Sequence, residues 1–227
     1  MINPMDLTGK RILLVGKDEG INHSILLQLK ALSADVVLYD KTDISGIESD
    51  IKVFKNEKIS FDGMVYGIVK SDFRPLQFVR PEIVQDIISD NFSLFIEIIR
   101  CLKKSRCLKD NSSIVAMSSI SSIRAMKAKM AFCSSKAALD AAVRCLAVEL
   151  ADKGIRVNSI QKGGVDVDFE KEHIKNIDSI NNGATEQNQP LGITKAEEIA
   201  NVAAFLLSDA TRTITGTSIV IDGGYTL

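Results

Sequence analysis

The segment KRILLVGKDEGIN, residues 10–22, joins an apolar run to a glycine-containing turn and to the start of a helix. Residues 10–16 are apolar from Ile12 to Val15 and end in a glycine, a profile typical of a strand buried on both faces. Apolar residues then recur at helical spacing through residues 21–32. The segment therefore predicts a strand, a tight turn and a helix in direct succession.

The same alternation continues along the chain. Further buried strands are predicted at residues 35–40, 62–69, 113–117, 155–160 and 218–221. Helices are predicted at residues 83–108, 136–153 and 196–208. Repeated strand–helix–strand order predicts an α/β fold, a doubly wound parallel sheet with helices on both faces. Because no repeat or linker interrupts the pattern, we expect a single domain over residues 1–227.

The segment between Asp40 and Asp62 is too short to contain two full crossover helices and a strand between them. It has 21 residues, and a crossover helix with its connections needs about ten or more. Residues 51–54, IKVF, are the candidate for one more strand, which would bring the sheet to about seven. We therefore expect the sheet to be trimmed around residues 41–62.

Composition excludes several classes of protein. The 227 residues are 45% hydrophobic and 25% charged with a net charge of −1, which predicts neither a nucleic-acid partner nor an acidic membrane surface. No apolar run reaches the length of a membrane span, and the N-terminus lacks a secretory pattern. The four cysteines form no Cys-x-x-Cys pair, and there are only two histidines. We expect no metal site and reduced thiols in a cytoplasmic protein.

A second group of residues carries chemical information. Phe132 follows Ser119 by 13 residues, and Lys136 follows Phe132 by four. The segment GIRVN at residues 154–158 comes after a long helical stretch. This arrangement resembles the active-site region of the short-chain dehydrogenase/reductase family, which has a serine followed by Tyr-x-x-x-Lys. Residues 196–224 resemble the family as well, through EEIA, LLSD, ITG and DGG.

The resemblance implies a Rossmann-like domain and an NAD(P)-dependent oxidoreductase, similar to 3-oxoacyl-[acyl-carrier-protein] reductases. In such a site Ser119 holds the substrate carbonyl, and Lys136 holds the nicotinamide ribose and lowers the pKa of a neighbouring hydroxyl. Asn91, in the sequence Asp90-Asn91-Phe92, matches the helix position that supports a water-linked proton relay. Phe132 stands where the family has the proton-donating tyrosine.

The turn at residues 15–22 resembles the family pattern Thr-Gly-x-x-x-Gly-x-Gly. Gly16 and Gly20 match it, whereas Val15 and Asn22 do not. Glycine suits the sharp turn and the close approach of the backbone to a pyrophosphate at the helix N-terminus. The resemblance extends the cofactor-binding set to further residues: Asp18, Ile21, Tyr66, Lys136, Gly163 and Val165.

Two acidic residues indicate which dinucleotide would bind. Asp40 ends the second predicted strand 24 residues after Gly16, where a carboxylate can accept hydrogen bonds from a ribose diol. Glu19 stands before the second glycine, where relatives that prefer NADP often have a basic residue. Both carboxylates would repel a 2′-phosphate, so we expect NAD(H) rather than NADP(H), if a cofactor is bound at all. The alternative is that both are solvated turn acids.

Other family elements are replaced. The Asn-Asn-Ala-Gly element reads Tyr66-Gly67-Ile68-Val69, the Pro-Gly element reads Lys162-Gly163, and Val167 stands where a threonine often follows. Without a hydroxyl at position 132, general acid catalysis worth about 10²–10⁴-fold is lost unless another group substitutes. Candidates are Ser119, a water held by Lys136, and Tyr66.

Partners follow from the same features. Two basic clusters, at residues 100–106 and 124–129, could dock the acidic carrier protein of a carrier-linked substrate, or could be solvated helix-end charges. The small residues of the helix after Lys136 suit a homodimer or homotetramer, or a hetero-oligomer with an active paralogue. The polar residues 166–189 fall where the family has its substrate lid.

Three functions are consistent with these residues. The first is a short-chain reductase or dehydrogenase with an impaired or substituted proton donor, acting on a small-molecule or carrier-linked carbonyl. The second is a non-catalytic family member that serves as a structural or regulatory subunit. The third is a sensor that binds a nucleotide without turnover. The first is preferred because Asn91, Ser119, Lys136 and Asp40 are all present.

Overall fold

The computed structural model describes residues 3–167 and 189–227. Its strands are β1 Arg11–Val15, β2 Asp35–Tyr39, β3 Phe61–Tyr66, β4 Leu108–Ser119, β5 Arg156–Lys162 and β6 Ser218–Ile221. Its α-helices are α1 Gly20–Ala31, α2 Ile47–Asn56, α3 Pro81–Ile88, α4 Leu94–Ser105, α5 Met130–Glu149 and α6 Ala196–Leu207. A π-helical turn, Ser89–Ser93, joins α3 to α4.

All strand pairs are parallel, in the order β2-β1-β3-β4-β5-β6. The chain leaves β1 for β2 on one side and returns to β3 on the other, so the winding direction reverses at β1. Ligands of such sheets bind outside the carboxyl ends of the strands at this point of reversal. The predicted Rossmann-like α/β fold is confirmed.

The prediction of about seven strands was wrong for the described residues, in which the sheet has six. Residues 51–54, predicted as the extra strand, lie inside α2. This helix buries Ile47 and Ile51, one turn apart, and leaves Val53 half-exposed. Within these 21 residues, the single α-helix α2 crosses directly from β2 to β3. The shortening of the sheet expected around residues 41–62 is therefore present.

The loss of that strand changes the environment of β2. The sequence predicts β2 as buried on both faces, but only Tyr39 of its five residues is buried. Because no strand pairs with its outer edge among the described residues, β2 is an edge strand. Arg11 pairs with Asp35 there, with 2.5 Å between Nε and Oδ2.

The two faces of the sheet carry separate apolar cores. On one face, residues of β1, β3 and β4 such as Leu13, Met64 and Ile114 pack against α2, α4 and α5. On the other, Ile12, Val65 and neighbouring residues pack against α1 and α6. Alternate residues of each strand therefore belong to opposite cores, as a doubly wound sheet requires.

Two helices differ from their predicted bounds. The helix predicted at residues 83–108 is interrupted by the π-helical turn and ends at Ser105, and Leu108 begins β4. The helix predicted to start at Lys136 starts six residues earlier, at Met130. Phe132 and Lys136 therefore lie on the same helix, one turn apart. None of the described helices combines the length and apolar character that a bilayer crossing needs.

A buried arginine joins β5 to the end of α6. The Arg156 guanidinium donates hydrogen bonds to the Leu206 carbonyl at 2.7 Å, the Thr211 hydroxyl at 2.7 Å and the Ser208 carbonyl at 3.0 Å. Burial lowers the pKa of Arg156, but an arginine remains charged at accessible pH. Its fork of donors thus satisfies carbonyl groups that the last turn of a helix leaves without intrahelical partners.

Replacing this side chain should destabilise the protein. We expect Arg156→Met to lower the free energy of unfolding by about 2–4 kcal/mol, because three buried hydrogen bonds from a charged donor are lost. Urea unfolding followed by circular dichroism measures the change. The exposed Arg212 is the matched control, and Arg212→Met should stay within about 0.5 kcal/mol of the natural protein. Equal stabilities for the two variants would contradict the capping role.

Candidate functional site

A cleft of about 700 Å³ lies at the carboxyl ends of β1, β2, β3 and β4. Its walls come from the turn between β1 and α1, from the residues that follow β2 and β3, and from the ends of β4 and β5. The lining residues are Gly16, Lys17, Glu19, Gly20, Ile21, Asn22, Asp40, Thr42, Gly67, Ile68, Val69, Lys70, Asp90, Met117, Lys162 and Val167.

The turn at one end of the cleft depends on two glycines. Gly16 has φ +135° and Gly20 has φ +53°, conformations that side chains disfavour. A Cβ built on Gly20 would meet nothing within 4 Å, so the backbone at the start of α1 faces open space. The side chain of Glu19, which precedes α1, makes no capping hydrogen bond. The first N–H groups of the helix, which have no intrahelical acceptors, are therefore available to an anion.

Asn22 occupies the position of the family's third glycine. Its carboxamide lies between Gly16 and Gly67, and its Nδ2 donates a hydrogen bond to the Gly67 carbonyl at 3.3 Å. A Cβ on Gly67 would lie 1.9 Å from Asn22 Oδ1, and one on Gly16 would lie 2.5 Å from Nδ2. The two glycines thus make room for Asn22, which joins the ends of β1 and β3.

Acidic groups lie at the same end of the cleft. Asp40 and Glu19 are both exposed and both line it. Lys41, next to Asp40, is turned to Asp50, with 2.7 Å between Nζ and Oδ1. Its positive charge is therefore held away from the cleft by an ion pair.

Phe132 and Lys136 lie beneath the opposite end of the cleft. Phe132 is 5% exposed, and two ammonium groups lie over its ring, with Lys129 Nζ 5.2 Å and Lys136 Nζ 5.9 Å from the ring centroid. Lys136 has no exposed surface, and its Nζ donates a hydrogen bond to the Met117 carbonyl at 2.9 Å. Burial, assisted by the nearby charge of Lys162, lowers the pKa of Lys136 to about 7.

Ser119 and Asn91 both lie close to α5. Ser119 ends β4, and its Oγ accepts a hydrogen bond from the Ser121 N–H at 3.1 Å. Asn91, in the π-helical turn, donates to the Lys70 carbonyl and accepts from the Lys70 N–H, at 2.7 and 2.8 Å. It also donates to Ser135 Oγ on α5 at 2.9 Å. Asn91 therefore fixes the segment after β3, and neither Asn91 nor Ser119 lines the cleft.

Several residues predicted to bind the cofactor do not line the cleft. Tyr66 is fully buried, packs edge-to-face on Phe95 and donates its hydroxyl to the Asp90 carbonyl, so it is a core residue. Gly163 packs on Asp222, where a Cβ would lie 2.8 Å from Cα. Val165 is buried and bridges to Thr194, and Asp18 pairs with His23 at 2.8 Å. Of the predicted set, Gly16, Gly20, Ile21 and Asp40 line the cleft.

Four charged residues of the cleft were missed as site residues: Lys17, Lys70, Asp90 and Lys162. Lys70 and Asp90 lie next to the hydrogen bonds that Asn91 forms with the Lys70 backbone. Lys70 Nζ forms ion pairs with Asp86 at 2.6 Å and with Asp90 at 3.1 Å. Hydrogen bonding to Asp86 raises the pKa of Lys70. Lys162 ends β5 and was interpreted only as the loss of a proline. A charged residue that is 6% exposed yet lines a cleft is visible only in the tertiary structure.

Some members of the two basic clusters have partners within the chain, whereas Arg106 and Lys127 are exposed. Arg100 and Lys104 form ion pairs with Glu97 and Glu48, at 2.6 and 2.9 Å. Arg124 is exposed, donates a hydrogen bond to the Tyr225 carbonyl at 2.6 Å and lies over the Tyr225 ring. Within residues 3–167 and 189–227, no group of three or more histidine, cysteine or carboxylate side chains could hold a metal ion. The polar segment predicted as a lid falls mostly outside the described residues.

Comparison with known proteins settles the family. The family model described as enoyl-(acyl carrier protein) reductase matches residues 6–226, nearly the whole chain. The chain belongs to the short-chain dehydrogenase/reductase family.

Individual members of the short-chain dehydrogenase/reductase family agree. L-xylulose reductase of Caenorhabditis elegans is 28% identical, with 97% of each chain covered. The enoyl-[acyl-carrier-protein] reductase [NADH] of Buchnera aphidicola is 30% identical over 87% of this chain and 77% of that protein. A short-chain dehydrogenase family protein of Francisella tularensis superposes with a TM-score of 0.85 at 27% identity, covering 96% of this chain and 98% of that one.

The described residues fit one half of a nicotinamide dinucleotide better than the other. The open backbone at Gly20, the start of α1 and the exposed Asp40 suit a pyrophosphate and a ribose diol. At the other end Lys136, which matches the family's ribose ligand, is fully buried and donates a hydrogen bond to the Met117 carbonyl. The residues present therefore suit the pyrophosphate and its adjoining ribose, whereas the reactive end departs from the family pattern.

The ionisation of Lys136 should influence stability. Because its pKa is lowered from 10.5 to about 7 in the folded protein, the unfolded chain binds more protons between these values. Stability relative to a Lys136→Met variant should therefore rise with pH across this window, by up to about 1 kcal/mol per pH unit. Urea unfolding at several pH values measures it. Parallel stability curves would contradict the lowered pKa, and the exposed Lys153→Met is the control.

Proposed function

We propose that this protein is an oxidoreductase that uses NAD(H) to interconvert a carbonyl compound and its alcohol. The observation that carries the proposal is the cleft at the reversal point of the sheet. The glycine turn and Asp40 line one end of this cleft, and the charged groups Lys70, Asp90 and Lys162 line the other. The name of the relative L-xylulose reductase supports reduction of a carbonyl group, and the NADH in the name of the Buchnera aphidicola relative supports the choice of cofactor.

Each part of the cleft has a role in this proposal. The backbone N–H groups at the start of α1 bind the pyrophosphate, and Asp40 accepts hydrogen bonds from the adenosine ribose. Glu19 and Asp40 repel a 2′-phosphate, which favours NADH over NADPH. The bound cofactor supplies a hydride. Ser119 does not itself line the cleft, but it is paired across β4 and β5 with the cleft residue Lys162, and from this edge it orients the substrate carbonyl. Asn91 holds the wall after β3 through its three hydrogen bonds.

A second function is favoured by one observation. Phe132 replaces the family's acid, and Lys136 is shielded beneath it and bonded to a backbone carbonyl. A family member in this state serves as a non-catalytic subunit of a homodimer or homotetramer, or of an oligomer with an active paralogue. The exposed Val148 on α5 suits such a contact. In either function we place the protein in the cytoplasm, consistent with its free cysteines.

Cofactor selectivity tests the first function. We expect the protein to bind NADH at least about tenfold more tightly than NADPH, a difference of about 1.4 kcal/mol. Asp40→Ser should narrow this ratio, because it removes the ribose acceptor and one of the two repelling charges. Fluorescence titration gives both dissociation constants. Asp43→Ser is the control, because Asp43 lies outside the cleft and bonds Ser45. Absence of NADH binding at millimolar concentration would overturn the proposal.

Restoring the missing hydroxyl tests the reaction. We expect Phe132→Tyr to raise kcat by about 10-fold to 10³-fold, within the range of general acid catalysis. The assay follows NADH oxidation with a 3-oxoacyl thioester, a sugar ketone and an α-diketone. Phe132→Leu, which also reshapes the ring site but adds no acid, should give no gain. If neither the natural protein nor the tyrosine variant oxidises NADH with any of these, the non-catalytic function replaces the first.

A further inference from the structure

Lys162 is the residue at the reactive end of the cleft that the family pattern does not explain. It is the last residue of β5, is 6% exposed and lines the cleft with Met117 and Val167. The side chain therefore reaches the cleft from a fixed point at the carboxyl end of the sheet, where ligands of this fold bind.

The strand register places Lys162 beside the candidate serine. Ser119 at the end of β4 pairs directly with Lys162 at the end of β5. Adjacent parallel strands lie about 4.8 Å apart, and paired residues direct their side chains to the same face. A carbonyl held by Ser119 thus lies within reach of the lysine ammonium group.

The other protic groups around this end of the cleft are less suited to proton transfer. Tyr66 is buried away from the cleft and bonded to the Asp90 carbonyl. Lys70 lines the cleft, but hydrogen bonding to Asp86 raises its pKa, which makes its ammonium group a weaker acid. A serine hydroxyl is a far weaker acid than an ammonium group, so Ser119 alone is a poor substitute.

Lys136 is not available to a substrate in the cleft. It has no exposed surface, and its Nζ donates a hydrogen bond to the Met117 carbonyl. Burial and the nearby positive charge of Lys162 lower the pKa of Lys136 to about 7. Of these two lysines, Lys162 is the one that lines the cleft.

We propose that Lys162 is a catalytic residue that replaces the family tyrosine and donates the proton to the substrate oxygen. This inference rests on the proposed function, since it assigns the acid of that same reaction. It accounts for the coexistence of Phe132, which has no proton to give, with a lysine where the family has a proline.

The proton and electron balance is complete with these groups. The carbonyl carbon receives a hydride from NADH, and the π electron pair of the carbonyl moves to its oxygen. That oxygen takes a proton from Lys162 Nζ, which leaves a neutral amine that solvent reprotonates. The carbonyl compound is reduced to the alcohol, and NADH is oxidised to NAD⁺.

Arginine substitution separates charge from acidity. Lys162→Arg keeps the positive charge, but a guanidinium group does not release its proton at accessible pH. We expect it to bind NADH within about threefold of the natural affinity and to lose about 10²-fold or more in kcat, the range of general acid catalysis. Adding Phe132→Tyr to this variant should restore kcat at least to that of the natural protein, because the tyrosine then supplies the acid.

The measurements are NADH titration, thermal unfolding and turnover of the 3-oxoacyl thioester, sugar ketone and α-diketone probes. Lys104→Arg, on the α4 surface away from the cleft, is the matched control. The full pattern of intact NADH binding, lost turnover and rescue by tyrosine supports Lys162 as the donor. Turnover of Lys162→Arg within about threefold of natural would show that no proton comes from position 162.

Other outcomes overturn the inference in distinguishable ways. Lost turnover without rescue would assign the effect to disturbed packing at the end of β5. Turnover by Phe132→Tyr but none by the natural protein would show that Lys162 supplies no proton, and would leave the proposed function standing. If neither protein binds NADH, or neither turns over any probe, the proposed function itself fails and the inference fails with it.

Discussion

The site depends on the backbone hydrogen bonds on both sides of Val15. The Gly16 N–H donates to the Tyr39 carbonyl and the Gly67 N–H donates to the Val15 carbonyl, both at 2.8 Å, so the ladder continues past the ends of three strands. Asn22 reinforces this junction through the Gly67 carbonyl. With the ends of β1, β2 and β3 fixed, the glycine turn, Asp40 and the wall after β3 face one cleft. Binding groups from distant parts of the chain are thus positioned by main-chain geometry.

The reactive end of the cleft is organised by charge burial. Lys129, Lys136 and Lys162 are each at most 6% exposed around Phe132, Met117 and the end of β5. Burial of an ammonium group disfavours its charged form, and a nearby positive charge adds to this effect. The lowered pKa of Lys136 is the visible consequence. A family tyrosine would have placed a phenol in this environment, whereas Phe132 leaves proton supply to the lysines or removes it.

The trimmed edge shows how a local shortage of residues alters a fold without disrupting it. With 21 residues between Asp40 and Asp62, the chain forms one amphipathic helix, α2, and no further strand. Tyr39 and Phe61, the end of β2 and the start of β3, both meet Phe54 of this helix edge-to-face. The cost is an exposed edge at β2, and the cleft beside Asp40 is unaffected because it lies at the carboxyl end.

Much of the fold was predictable because strand and helix periodicities are local properties. The apolar run before Gly16, the following helix and the order of elements all depend on neighbouring residues. The same holds for Gly16, Gly20, Ile21 and Asp40, since a turn between strand and helix places its own residues. Residues 51–54 were mispredicted because four apolar and basic residues are compatible with either a strand or a helix, and packing decides.

The sequence by itself determined a parallel α/β fold, a glycine turn beside an acidic strand end, and a phenylalanine where the family has tyrosine. Only the tertiary structure decided that Tyr66 is a core residue, that Lys136 is shielded beneath Met117, and that Lys162 reaches the cleft. The physical reason is that burial and ionisation depend on which strands and helices meet. Those contacts join residues far apart in the chain, and no local pattern records them.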